Sequence, residues 1–487
     1  MRVIFSVATN YTLFVAYILT KTTYRDSYNI LVTNDSVIDL ATIERIKESK
    51  VWDEVIYVEE RDNNKNMDLI DQIEEVDVLH IFTFGCGILT SYLMKKFWNY
   101  KTRIIFTEEG TATWNYLNTM RYAKCDLSEL DILERIQEVW AFEERLIPYR
   151  HNIIVKKIET EYLINDVNIR EMFLKDLNYI FSYKPEELDS QVILFDTYFS
   201  KAGIMNKLDE VDLDKALLEL NKSMIVKLHP NDDLYSKSRI FQRIIKNVNV
   251  PWEVVYLNNL EALEQNTEFF FTIFPTAVQF NTKIINKQTK IRVVCLWRLL
   301  EKIIVPMLVD IFNEEVMKNV EKFDTIYDWN FTMPSSVNEL SLIIEQSDCL
   351  DSSIIKYITE INTNNVYKKS ELLTDSQESV LFKRTIDFLI QRHQNLKYCI
   401  WGTGGVAEQT ICEINKHSNN FELISVIDNF KTGKYKGIDI YRKEQLHEIK
   451  CDIIFICTTI GKKDAEEFML DNGLLYGKDY VYGYKVF

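Results

Sequence analysis

Arg103-Ile104-Ile105-Phe106-Thr107-Glu108-Glu109-Gly110 reads as a short buried strand that stops at two carboxylates and a glycine. Upstream, apolar runs at Arg2–Val7, Asn29–Thr33, Glu54–Val58 and Val76–Phe82 have the same length and character. Helical patterns such as Leu40–Glu48 and Ile88–Trp98 separate them. Short apolar runs alternating with helices predict a parallel, doubly wound α/β sheet. In such sheets ligands bind at the carboxyl ends of the strands, which is where Glu108-Glu109-Gly110 lies.

Downstream the pattern blurs through a stretch read as helical, clearest at Glu129–Leu146, and then resumes. Strands are expected at Val192–Phe195, Ser223–Leu228, Trp252–Tyr256, Glu268–Ile273 and Ile291–Leu296, a second Rossmann-like unit. Residues 335–378 read as a closing helix and linker. After a helix at Ser379–Gln394, a third series runs through Lys397–Trp401, Phe421–Ile427, Cys451–Cys457 and Tyr480–Gly483. The expected division is residues 1–185, 186–350, a linker 351–378 and a C-terminal Rossmann-like domain 379–487.

With 487 residues and 47% hydrophobic content the chain can fill several cores. A net charge of −16 argues against a general nucleic-acid binder, which needs a basic stripe. The eight cysteines occur singly, with no Cys-x-x-Cys, and read as reduced thiols. No metal-ligand spacing stands out. The start, Met1-Arg2-Val3-Ile4-Phe5-Ser6-Val7, is too short for a signal core, and Tyr11–Leu19 is about half a membrane span. The expectation is a cytoplasmic chain, with peripheral contact to membrane-bound glycan machinery.

Three strand-end motifs offer chemistry. A carboxylate of Glu108 or Glu109 can take a proton from an attacking hydroxyl. Neighbouring side chains on an extended segment point to opposite sides, so one of the two enters the cleft, and Gly110 permits a tight turn. The bland alternative is an acidic helix cap. His229-Pro230, ending Ser223–Leu228, can donate a hydrogen bond or a proton to a phosphate, with Lys227 two residues earlier adding charge. A surface His before a turn is the alternative. Pro275-Thr276, between a strand and a helix, supplies a hydroxyl and backbone N–H groups, or a plain cap. Trp114, Tyr116, Trp140, Trp297 and Arg298 are lesser candidates for lining a cleft, with core packing the default for the aromatic rings.

Glu-Glu-Gly, then Lys-Leu-His-Pro, then a hydroxyl at a helix start resembles the bacterial GT-B sialyltransferases and polysialyltransferases, over roughly residues 1–320. Val192-Ile193-Leu194-Phe195-Asp196 with Ser200-Lys201-Ala202-Gly203 resembles the opening of their second domain. The resemblance implies a GT-B fold, a CMP-activated sugar donor, a glycan acceptor and transfer without a metal. It makes Glu108 or Glu109 the base, sets His229 on the CMP phosphate, and gives Gly110, Lys227, Pro230, Pro275 and Thr276 to the donor. Pro275-Thr276 departs from the family's hydroxyl pair.

Gly402-Thr403-Gly404-Gly405-Val406-Ala407 is a Gly-x-Gly-x-x-Ala fingerprint between a strand and a helix, and Asp428 ends the next strand. In that setting the glycines admit a pyrophosphate and the acid binds a ribose. Gly402, Gly404, Gly405 and Asp428 are therefore candidates for NAD or a nucleotide sugar, set against a purely structural module. The segment resembles small Rossmann modules attached to bacterial sugar-modifying enzymes. Two further functional readings are a CDP-polyol phosphotransferase of teichoic-acid type, which needs a second His (His80 or His151), and a non-catalytic scaffold.

Overall fold

The structure, a computed structural model, describes residues 1–34, 38–58, 68–82, 87–98, 101–114, 135–147, 153–199, 205, 207–232, 234–304, 318–329, 331–363, 382, 386, 389, 395–417, 421–458, 461–474 and 479–484. The chain forms two compact units. The first comprises Met1–Thr197, Leu217–Leu299 and Asn313–Ile355; the second comprises Tyr198–Ala216, Leu300–Phe312 and Lys356–Phe487.

The first unit holds two parallel sheets. Strands β1 (Arg2–Val7), β2 (Tyr28–Asn34), β3 (Glu54–Val58), β4 (Val78–Ile81), β5 (Arg103–Thr107), β6 (Ile136–Ala141) and β7 (Ile154–Lys157) lie in the order β3-β2-β1-β4-β5-β6-β7. This extends the Rossmann order, which reverses between β1 and β4. Strands β8 (Val192–Phe195), β9 (Ile225–Lys227), β10 (Phe269–Thr272), β11 (Arg292–Cys295) and β12 (Phe331–Thr332) lie in the order β12-β11-β10-β8-β9. That is the other common doubly wound order, reversing between β8 and β10. The architecture is thus α/β, with two Rossmann-like sheets in series as in GT-B proteins, followed by a third in the second unit.

Among the described helices are α1 (Asn10–Lys21), α2 (Leu40–Ser49), α3 (Gly87–Phe97), α4 (Thr111–Trp114), α5 (Trp252–Asn258), α6 (Ala277–Ile285), α7 (Val337–Glu345) and α8 (Ser353–Thr363). Thr9 caps α1, its hydroxyl accepting the Thr12 N–H at 3.1 Å. The apolar Tyr11–Leu19 run is this helix, packed inside the fold. Among the described residues no helix is long and apolar enough to cross a membrane. One continuous apolar core joins the two sheets, from Val3, Phe5 and Leu79 through Trp252 and Phe270 to Phe280 and Phe323. At its seam Trp114 meets Phe280 edge-on at 5.1 Å, and Phe280 lies 4.7 Å from Phe323.

Two expectations fail here. Trp252–Tyr256 is helix α5, not a strand: Pro251 stands at its N-cap, and Trp252 through Leu257 are all buried. A short run buried on every face has no period to tell helix from strand. The Trp252 indole N–H reaches the Thr282 hydroxyl on α6 at 2.9 Å, an anchor the sequence does not reveal. Within Glu129–Leu146, Arg135 is helical, Ile136–Ala141 is strand β6 and Glu144–Leu146 is a single 3₁₀ turn; residues 129–134 lie outside the described residues. The strand carries a buried charge, Glu138, paired with Arg103 at 3.2 Å and Lys156 at 3.0 Å. That acid disguises the strand's buried character in the sequence. Most of the expected helix Ser379–Gln394 also lies outside the described residues.

In the second unit, β13 (Leu396–Trp401), β14 (Phe421–Ile427), β15 (Lys434–Tyr435), β16 (Ile438–Tyr441), β17 (Ile453–Ile456) and β18 (Tyr480–Tyr482) lie in the order β15-β16-β14-β13-β17-β18. All neighbours are parallel except the small β15–β16 hairpin. Helix α9 (Gly405–His417) follows β13 through the glycine turn. The order reverses between β13 and β17, which sets that turn at the switch point.

Candidate functional site

Strand β5 delivers Glu108 and Glu109 to its carboxyl end, and the two go opposite ways. Glu108 is fully buried. One of its oxygens accepts the Phe142 N–H at 2.8 Å and the other the Trp114 indole N–H at 3.3 Å. Burial pushes its carboxyl up to about 8 despite those hydrogen bonds, and the charges of Glu143 and Glu253 add to the rise. Glu109 is half-exposed, and its backbone N–H donates to the Thr113 hydroxyl at 3.0 Å on α4. Of the two acids, Glu109 is the one with solvent exposure.

Gly110 turns the chain at φ +117°, and a Cβ there would stand 2.8 Å from the Ala277 Cβ. The Glu-Glu-Gly turn of the first sheet therefore touches the first residue of α6 in the second. Gly110→Ala is expected to cost about 1–3 kcal/mol, from the left-handed backbone and the clash together. Urea titration checks this, and a loss under about 0.5 kcal/mol would mean the turn relaxes at no cost.

At the start of α6, the Gln279 carboxamide oxygen accepts the Thr276 N–H at 2.8 Å and its hydroxyl at 3.1 Å. Gln279 is itself fully buried, and its Nε2 has no hydrogen-bond partner. A buried donor beside a helix N-terminus suits an acceptor oxygen on a ligand. Two residues on, the Asn281 amide donates to Glu253 at 2.7 Å and to the Tyr11 hydroxyl of α1 at 3.0 Å. This bond also joins the two sheets.

His229 follows β9. Its Nδ1 accepts the Asn231 N–H at 3.1 Å, and its carbonyl accepts the Asp232 N–H at 2.9 Å. The ring proton therefore sits on Nε2. Burial, helped by the charge of Lys227, holds the imidazole down to about 4. At neutral pH His229 is a neutral hydrogen-bond donor, not the proton donor allowed for in the sequence reading. Pro230 is exposed. Lys227 departs from expectation: its ammonium donates to the backbone carbonyls of Val248 at 2.8 Å and Leu228 at 3.3 Å. It braces the strand end rather than presenting charge to a phosphate, and burial lowers it to about 8.

Strand β8 lies between β9 and β10, so His229 and Pro275-Thr276 flank its end. There the structure adds residues that motif reading missed. Lys237 pairs with Asp196 at 2.5 Å and lies 3.9 Å from Asp232, and all three side chains are almost wholly buried. Asp196 closes β8 and Asp232 closes the His-Pro turn, so the ammonium fastens that turn to the switch point. Asp232 and Lys237 follow the strand-end His229 by three and eight residues, a local signal, whereas Asp196 lies 33 residues before it and is brought in by the fold.

His80 sits in a buried aromatic cage. Its ring nitrogens bond Thr107 at 2.7 Å and Tyr24 at 2.8 Å, and burial lowers it to about 3. His151 lies outside the described residues, as does Tyr116. Trp114, Trp140 and Trp297 are buried and pack as core rings.

In the second unit, Gly402 takes φ +106°, and a Cβ there would meet the Cys457 carbonyl at 3.1 Å. Gly404 and Gly405 face open space. Asp428 accepts the Thr403 hydroxyl at 2.6 Å and the N–H groups of Phe430 and Lys431, each at 2.9 Å. Burial would raise its carboxyl, but these bonds hold it below the ordinary value. Most of the acceptor capacity expected to read a ribose is thus spent inside the domain.

A family model described as C2185-like, N-terminal, matches residues 394–474, which covers most of this third sheet. No curated protein matches the chain. Among solved structures it is similar to a Listeria monocytogenes protein assigned as a UDP-N-acetylglucosamine 2-epimerase, with 10% identity, 77% of this chain and 99% of that one covered, and a TM-score of 0.39. A calicheamicin glycosyltransferase gives 8%, 74%, 93% and 0.37. A Thermobaculum terrenum O-GlcNAc transferase variant gives 10%, 74%, 66% and 0.30. Likenesses this distant carry no argument about chemistry. The architecture rests on the strand orders.

Proposed function

We propose that the chain is an inverting glycosyltransferase that moves a sialic-acid-like sugar from a CMP-activated donor to a glycan hydroxyl in surface-polysaccharide synthesis. The observation that carries this reading is the contact of Gly110 with Ala277, which brings the acid-bearing turn of one sheet to the helix start of the other. The order of the three motifs along the chain, and their resemblance to the sialyltransferases, supply the CMP-sugar part.

In the reaction Glu109 takes the proton of the acceptor hydroxyl. The freed oxygen attacks the anomeric carbon, and the bond from that carbon to the CMP phosphate oxygen breaks. The electron pair leaves with CMP. His229 offers its Nε2–H to a phosphate oxygen, and Thr276 and Gln279 at the start of α6 offer further donors. Such preorganised donors stabilise developing charge without rearranging. At the glycine turn of the second unit, a nucleotide sugar or NAD is the candidate ligand.

The phosphotransferase alternative needs a second catalytic His; His80 is caged in the core, and His151 lies outside the described residues. With purified protein, release of CMP from CMP-sialic acid is expected, and none from CDP-glycerol. His229→Ala should lower kcat/KM by a factor corresponding to about 2–4 kcal/mol, and Glu109→Gln should stop transfer. Turnover of CDP-glycerol alone would favour the phosphotransferase, turnover of neither the scaffold. Full activity in both variants would remove the proposed mechanism.

A further inference from the structure

Asn429-Phe430-Lys431-Thr432-Gly433-Lys434-Tyr435-Lys436-Gly437 links β14 to β16 and carries three lysines and no acid, in a chain of net charge −16. It contains β15, the edge strand of the third sheet. Phe430 is 82% exposed, more than any other large apolar side chain among the described residues. A phenylalanine on a loose loop would fold back to cover itself. This one is held out, because the Asp428 carboxylate grips the N–H groups of both Phe430 and Lys431. Lys431, Lys434 and Lys436 are all exposed. The bordering acid Asp439 pairs with Lys434 at 3.4 Å, with both side chains about two-thirds exposed, and a pair so hydrated exchanges partners readily. Glu408 lies near Tyr435, and Asp464 accepts the Asn429 amide at 2.8 Å behind the hairpin, while the Asp428 carboxylate is taken up by Thr403 and the two backbone N–H groups.

We infer that this edge hairpin is a peripheral docking surface for an anionic lipid bilayer, with Phe430 entering the interface and Lys431, Lys434 and Lys436 lying over the headgroup phosphates. The three lysines are exposed and spread along the outer edge of the sheet. Asp428, which would anchor a nucleotide's ribose beside Phe430, is already engaged. An aromatic ring at the headgroup level flanked by lysines combines apolar burial with electrostatic attraction. The inference does not depend on the transfer reaction.

The test is co-sedimentation of the full chain with vesicles of phosphatidylcholine alone, or with about one-third phosphatidylglycerol. Binding is expected on the anionic vesicles only, with release in about 0.5 M salt. Replacing all three lysines by serine should weaken it about a hundredfold, at roughly fivefold per lysine. Phe430→Ala should weaken it several-fold while leaving the salt dependence intact. All four side chains are exposed, so the variants should melt with the parent. Equal partition to neutral vesicles, no sedimentation, or wild-type binding by the triple variant would overturn the inference. So would a loop whose lysines matter only to thermal shifts with CMP, UDP-sugars or NAD.

Discussion

Replacing Lys237 by methionine is expected to destabilise the first unit by about 3–5 kcal/mol, the usual consequence of leaving buried carboxylates without their cation. Asp196 and Asp232 both face that ammonium with almost no exposure. Removing it takes the shared ammonium away from two buried acids. Lys237→Arg should recover part of the loss, since it restores the charge but not the compact head. Urea midpoints for the three proteins test this, and a methionine variant within about 1 kcal/mol of wild type would show that the pairs are not integral to the fold. The same change should loosen the His-Pro turn, so in the NMR spectrum the His229 nitrogens should lose their fixed tautomer.

The second large effect is a fall in stability between pH 6.5 and 8. The Glu108 carboxyl has an ordinary value of 4.5 and a folded value of about 8. Below 4.5 it is protonated in both states and contributes nothing. Between the two values the unfolded chain releases its proton and the folded chain keeps it, so stability drops as pH rises. Glu253 is raised too and acts in the same direction. His80 and His229 oppose this below 6.5, because their folded forms resist protonation and stability there falls as pH falls. Lys227 acts only above about 8. The window from 6.5 to 8 therefore belongs to the carboxyls, and Glu108 alone should cost about 2 kcal/mol across it. Glu108→Gln should flatten the slope, although one N–H donor then faces an amide. A wild-type midpoint that holds steady across this interval would sink the assignment.

The sheet framework was readable because parallel strands covered on both faces are written as apolar runs, as at Ile104-Ile105-Phe106 and Phe269-Phe270-Phe271. The exceptions have physical causes. Trp252–Leu257 is buried on all sides, Glu253 included, and shows no period, while β6 hides a buried Glu138 that only its partners Arg103 and Lys156 explain. The acid pair and the His-Pro motif do stand just past the ends of β5 and β9, as their sequence setting implied. Motif reading could not say which acid faces in, because that depends on Phe142 and Trp114 claiming Glu108. Nor could it see that Lys227 spends its charge on carbonyls while the distant Lys237 supplies the ion pairs. Local sequence gives the position of a side chain along a strand, whereas its chemical freedom is set by neighbours from elsewhere in the chain.

The continuous core between the first two sheets also limits how this protein can work. Swinging one sheet away from the other would pull Trp114 off Phe280 and part Asn281 from Tyr11, hydrating apolar surface and orphaning buried polar groups at once. A rigid-body clam-shell cycle is therefore an expensive way to admit and release ligands. Any displacement that leaves these contacts intact costs less, so changes confined to the strand ends are the cheaper motion for this pair of sheets.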